Sequence, residues 1–208
     1  MLDRTRLSII GAGSVRCGIP VIASLATYFG ERPLEIRMYD ADLERLDLFD
    51  RFARISFFVT RATHSLISTT DLSEALEMSD RVLLQVGENC ARKYLKETHR
   101  MGIASLDRDA MVEQALDEIS SEIPSEATIL SLQRLGISLS RSHYRLEWPA
   151  EIAVDDRASI PHQVMRWVRG EEYLHELLAM NEKSPLKRWL DAPESAVYIS
   201  MQSQHRID

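Results

Sequence analysis

A glycine-rich turn set between a short apolar run and an apolar helix constrains this chain more than any other feature. The stretch from Leu7 to Asp40 reads LSIIGAGSVRCGIPVIASLATYFGERPLEIRMYD. Leu7, Ile9 and Ile10 form a run too short for a helix, which predicts a parallel strand covered on both faces. Gly11 permits a tight turn, and Gly13, with no Cβ, lets the main chain approach a ligand closely. Ser14 is placed to cap a helix or to donate to a phosphate. The helix is predicted to begin near Val15 to Gly18, where unbonded N–H groups and the helix dipole favour an anion. Pro20 is compatible with that helix in its first turn, where no N–H is needed. A second apolar run, Leu34 to Tyr39, closes on Asp40.

Strand, glycine turn, helix and a strand ending in an acid make up the sequence form of a dinucleotide-binding unit. The third position of the usual glycine fingerprint is Arg16 here, with Gly18 two residues later to bring helix and strand close. Asp40 lies 27 positions beyond Gly13, where about 20 is usual for the acid that bonds a ribose hydroxyl. An acid there favours NAD over NADP by repelling a 2′-phosphate, and Arg37 and Arg45 are placed to soften that repulsion. Two readings of Asp40 stay open, a ribose ligand or a cap for a helix starting near Asp42.

The remaining pattern extends the same architecture. Apolar residues between Asp42 and Thr63 recur at helical spacing, and Phe49, Phe52, Phe57 and Phe58 are expected to pack on a sheet. His64 to Thr69 is a third strand, Thr70 or Asp71 with Glu74 signals a capped short helix, and Arg81 to Val86 is a fourth strand. The loop QVGENCAR follows at the ligand-binding edge of such a sheet. Its Gln85, Val86, Gly87 and Asn89 join Gly11, Ala12, Gly13, Ser14, Val15, Arg16 and Asp40 as candidate cofactor-binding residues. Asn89 also fits as the cap of a helix running to Met101. A helix over 107–123, a fifth strand over 127–132 and a further strand within 139–148 complete the expected α/β fold. It is a doubly wound, mainly parallel Rossmann-like sheet over residues 1–150, with a helical appendage and tail over 151–208. In that appendage, Leu186, Trp189 and Leu190 need a partner surface, supplied by the body or by a second subunit, and a homodimer is expected there. The closing AVYISMQSQHRID reads as an edge strand, open to exchange between subunits.

Composition excludes several classes. With 25 Lys plus Arg against 32 Asp plus Glu, the net charge of −7 gives no general attraction to nucleic acid or an anionic membrane. No stretch reaches the ~18 apolar residues of a membrane span. Cys17 and Cys90 are expected to be reduced thiols, and the protein is expected to be cytoplasmic. The six histidines show no metal-ligand spacing, so no metal site is expected.

Several motifs in order carry a family resemblance over roughly residues 5–135: GAGS at Gly11 to Ser14, MYDADLERL at Met38 to Leu46, TTDLSEALEMSDRVLLQVG at Thr69 to Gly87, and Arg92 followed by MGI at Met101 to Ile103. They resemble the NAD-binding half of glycoside hydrolase family 4, distant relatives of lactate and malate dehydrogenases. The resemblance implies a Rossmann-like fold and NAD, which in that family oxidises a sugar carbon beside a divalent metal. The chain departs from the family where the sugar chemistry lies. Gln85 stands where the resemblance calls for a phosphate-binding arginine, Ile103 leads into ASLDRDAMVEQ in place of a GQET segment, and no cysteine follows Cys90.

Three functions compete on these grounds, and no catalytic residue is assigned. The first is a nucleotide-binding, non-hydrolytic protein acting as sensor, subunit or scaffold. The second is a small NAD-dependent oxidoreductase using His143, His162 or Tyr144. The third is a relic of the fold that binds no nucleotide and acts through oligomeric interactions.

Overall fold

The computed structural model describes residues 4–13, 15–29, 33–85, 97, 100, 101, 137–140, 178, 179, 184–191 and 197–200. Six strands form one all-parallel sheet: β1 (Thr5–Ile10), β2 (Leu34–Tyr39), β3 (Ser65–Thr69), β4 (Arg81–Leu84), β5 (Ile137–Ser140) and β6 (Val197–Ser200). Their spatial order is β3-β2-β1-β4-β6-β5. Four helices are described: α1 (Val15–Ala26), α2 (Leu43–Thr60), α3 (Leu72–Leu76) and α4 (Pro185–Asp191). The fold is α/β, doubly wound and Rossmann-like.

Alternation along β1 sorts the helices between the two faces. Leu7 and Ile9 share a core with Ile19, Ile22 and Leu25 of α1, Leu46, Phe49, Phe52 and Phe57 of α2, and Leu186, Trp189 and Leu190 of α4. Ser8 points the other way, and its hydroxyl donates to the Ala75 carbonyl of α3. Arg37 of β2 also reaches α3, donating to the carbonyls of Glu74 (2.9 Å) and Glu77 (2.7 Å) while pairing with Glu35.

α1 starts at Val15 as expected, but Pro20 is its sixth residue, one turn deeper than the first-turn position read from the sequence. The ladder bond lost there is outweighed by burial of Ile19, Val21, Ile22, Leu25 and Ala26, a tertiary gain that overrides local propensity. In α2, Phe49, Phe52 and Phe57 enter the core as expected, whereas Phe58 is 85% exposed. At about 100° per residue, the position after Phe57 turns outward.

The tail differs most from its expected form. β6 is an interior strand, with Val82 opposite Val197 on one side and Ile137 opposite Val197 on the other. The edge-strand reading is therefore corrected. Val197 and Ile199 alternate in sequence with polar or amphipathic residues, and Tyr198 between them is buried against Trp189, with ring centroids 5.2 Å apart. The expected strand at 127–132 and the helix over 107–123 lie outside the described residues.

α2 ends in a Schellman motif: Ala62 N–H donates to the Phe57 carbonyl (2.9 Å) and Arg61 N–H to that of Phe58 (3.2 Å). The residue in left-handed conformation is Arg61, with φ 58°. A side chain there costs about 1 kcal/mol that glycine avoids. Arg61→Gly is expected to stabilise the protein by that amount, read as a melting temperature about 2–4 °C higher by calorimetry.

Candidate functional site

The C-terminal ends of β1, β2 and β4 come together in register. Ile10 lies opposite Tyr39 on one side and Leu84 on the other. β1 and β4 are neighbours whose connections run in opposite directions across the sheet, the switch point at which open α/β sheets bind ligands.

The loop leaving β1 is shaped by hydrogen bonds to the end of β2. Gly11 has φ 82°, a backbone conformation that favours glycine. Its N–H and that of Ala12 both donate to the Tyr39 carbonyl, at 2.9 and 3.0 Å. Gly13 N–H donates to Asp40 Oδ2 at 2.8 Å, and Asp42 N–H donates to Asp40 Oδ1 at 3.0 Å. One carboxylate thus fastens the glycine loop to the start of α2. α1 then begins at Val15, so the amides of its first turn, which have no acceptor within the helix, lie at the same edge.

Neither sequence reading of Asp40 describes this contact. Asp42 itself caps α2, accepting from the amides of Glu44 and Arg45 at 3.1 Å each. Asp40 stands two residues earlier and acts as a clasp between loops. Arg37 is corrected in turn: its guanidinium is engaged with Glu35 and α3, so it softens no repulsion at Asp40. Arg45 remains beside the loop, paired with Asp42 at 3.3 Å.

The two glycines after the turn are fixed by the fold itself. A Cβ on Gly13 would lie 2.8 Å from Arg45 Cβ and 2.9 Å from Asp40 Oδ2. A Cβ on Gly18 would lie 2.6 Å from the Phe49 ring and 2.7 Å from the Ala12 carbonyl oxygen. Gly18 therefore provides the close approach of helix, loop and neighbouring helix that the usual third glycine provides.

The structure brings together Gly11, Ala12, Gly13, Asp40 and the backbone of Val15 and Arg16. Gln85 is buried at the end of β4, its N–H donating to the Ile10 carbonyl at 2.8 Å. Ser14, Val86, Gly87 and Asn89 lie outside the described residues. Sequence reasoning missed the Tyr39 carbonyl, whose double acceptance leaves no mark in residue type. It noted Arg45 only as a charge, although its Cβ bounds the space at Gly13. Among the described residues, no group of three or more His, Cys, Asp or Glu is gathered to hold a metal. None of the described helices is long and apolar enough to cross a membrane.

No family model and no curated protein matches this chain. Among solved structures, it is similar to a 6-phospho-alpha-glucosidase from gut microorganisms in complex with NAD and Mn2+, at 25% identity over 44% of this chain and 21% of that one, with a TM-score of 0.37. It is similar to Cryptosporidium parvum malate dehydrogenase at 20% identity, over 41% of this chain and 25% of that one, with a TM-score of 0.34. The lactate dehydrogenase of the same organism, complexed with lactic acid and nicotinamide adenine dinucleotide, matches at 13% identity over 65% of this chain and 42% of that one, again with a TM-score of 0.34. The chain therefore spans between 21% and 42% of these proteins' own length.

Because Gly13 and Asp40 help to hold the loop through contacts within the protein, their replacement is expected to act on folding before any ligand is added. Gly13→Ala should cost about 1–3 kcal/mol through overpacking. Asp40→Asn, which sets an amide donor against one of two N–H groups, should cost about 1–3 kcal/mol. Urea unfolding of ligand-free protein checks both, and unchanged midpoints would contradict the clasp.

Proposed function

We propose that this chain binds a dinucleotide, NAD in preference to NADP, at the switch point between β1 and β4, without hydrolytic chemistry of its own. The observation that carries the reading is the Gly11 to Gly13 turn, held open by the Tyr39 carbonyl and the Asp40 carboxylate and followed at once by the first turn of α1.

The donor and acceptor set fits such a ligand. The amides of Gly11, Ala12 and Gly13 are engaged with the end of β2, so the groups offered to a pyrophosphate are the first-turn amides of α1, aided by the helix dipole. Asp40 accepts one N–H on each oxygen, and a carboxylate has about four acceptor positions. Two positions remain for a pair of ribose hydroxyls. A 2′-phosphate would meet that carboxylate, both of whose oxygens already accept an amide, and the Arg45 charge beside it is shared with Asp42.

The non-hydrolytic part of the proposal rests on the sequence. The family resemblance calls for an arginine where Gln85 stands, and for a sugar-binding segment where ASLDRDAMVEQ stands. The role left to the chain is that of a nucleotide-responsive sensor, subunit or scaffold. A homodimer through the tail would have to use residues other than Leu178, Leu186, Trp189 and Leu190, which are buried in the chain's own core.

Calorimetric titration with NAD, NADH and NADP is the direct test. Saturable micromolar binding is expected for NAD, weaker for NADP, with the difference reduced in Asp40→Asn. No heat together with no thermal shift for any of the three would sink the proposal. Turnover of a glycoside by the NAD-loaded protein would remove its non-hydrolytic part alone.

A further inference from the structure

His64 sits where three elements meet, at the end of the sheet opposite the glycine loop. Its Nδ1 accepts the N–H of Leu34, the first residue of β2, at 3.2 Å. Its Nε2 lies 3.0 Å from the Leu25 carbonyl of α1. A nitrogen that accepts an N–H carries no proton, so Nε2 holds the ring's one proton and donates it to Leu25. The neutral ring is thus fixed in one tautomer. The Tyr28 ring stacks beside it at 6.3 Å, and the Phe57 ring of α2 meets it edge-on at 5.5 Å.

The two residues just past α1 also hold α4. Tyr28 donates its hydroxyl to Asp191 Oδ1 at 2.8 Å, and the Lys187 ammonium donates to the Thr27 carbonyl at 2.9 Å. α4 leads into β6, and its Trp189 packs on Tyr198 of that strand. We propose that His64 is an acid-sensitive latch for the C-terminal segment: protonation at Nδ1 sets N–H against the Leu34 N–H, expels the ring from its seat on Leu25 and Tyr28, and loosens the packing of α4 on the body.

The charges around the ring favour the neutral form. Burial lowers the His64 pKa from its ordinary 6.5; the backbone contacts at Leu25 and Tyr28 oppose this, and the Arg4 charge adds to the lowering. On α4 the charged groups are Lys187, Arg188 and Asp191; Lys187 bonds the Thr27 carbonyl, and Asp191 accepts the hydroxyl of Tyr28, whose ring stacks on His64. Arg81 of β4 stands over Trp189 at 5.6 Å and carries a further positive charge towards Tyr28. Because the folded pKa lies below the unfolded one, the unfolded or undocked chain binds the extra proton. The latch is intact above about pH 6.5 and weakens as pH falls towards the folded value.

Trp189 reports directly on α4, and its emission can be followed alone in a Trp148→Phe, Trp167→Phe background. On going from pH 7.5 to about 5.5, its emission is expected to shift to the red while far-UV circular dichroism retains the sheet and helix signal. His64→Gln, which donates and accepts without titrating, should abolish the shift. Asp191→Ala weakens the attachment without touching the ring, and should move the shift to higher pH. An equal shift in His64→Gln, no shift in the His64 chain, or a shift coincident with global unfolding would each overturn the latch. Should His64→Gln fail to fold, an unchanged midpoint in Asp191→Ala would overturn it as well.

Discussion

Everything described here hangs on β1. It pairs with β2 on one side and β4 on the other, and Leu7, Ile9 and Ile10 are buried as helices cover both faces. A strand in that position has no water to satisfy its backbone, so each N–H and C=O must find a neighbour in register. That requirement fixes the heights at which β1, β2 and β4 end. Ile10, Tyr39 and Leu84 therefore finish level, and the loop that follows Ile10 leans on the end of β2. The Tyr39 carbonyl and the Asp40 carboxylate are the groups found there. The candidate site is a consequence of strand register as much as of its own residues.

The packing on the two faces follows from the same strand. Ser8 turns towards α3, where its hydroxyl meets the Ala75 carbonyl and the Ser79 hydroxyl in a small buried polar cluster. Such a cluster is tolerated because each member has a partner, and it fixes α3 along the sheet more narrowly than apolar contact would. On the opposite face, Gly18 lets α1 and α2 approach until the Phe49 ring fills the space a side chain would need. The turn, the two helices and the sheet are then mutually placed before any ligand is considered.

Much of this was legible in the sequence because it depends on local pattern. The apolar runs at Leu7 and Leu34, the permissive Gly11, and a cap for α3 at Thr70 or Asp71, of which the structure uses Asp71, each follow from residue type and spacing. What could not be read is contact between distant residues. Nothing local distinguishes an Asp that caps its own helix from one that bonds an amide 27 positions away, as Asp40 does with Gly13. His64 is equally mute: its partners Leu25 and Leu34 contribute only backbone atoms, which every residue carries. Strand order is the third blind spot. Val197 to Ser200 is a short amphipathic run by sequence, and only the sheet shows that both of its sides are paired.

That pairing makes the described part of the tail integral to the body. With β4 on one side and β5 on the other, β6 engages two neighbouring strands that would otherwise each present an unpaired edge. Four residues are few for an interior strand, so its register needs help from elsewhere. α4 supplies it. Ser184 accepts the Leu186 N–H and Pro185 occupies the first helical position, which sets where the helix begins. Trp189 then lies over Tyr198, with the Arg81 guanidinium on its ring. A slip of β6 by one residue would turn Tyr198 to the α3 face, and bring Val197 under Trp189 in its place. The aromatic pair thus selects the register, and through Leu84 opposite Ile199 it brings β6 to the same edge of the sheet as the glycine loop.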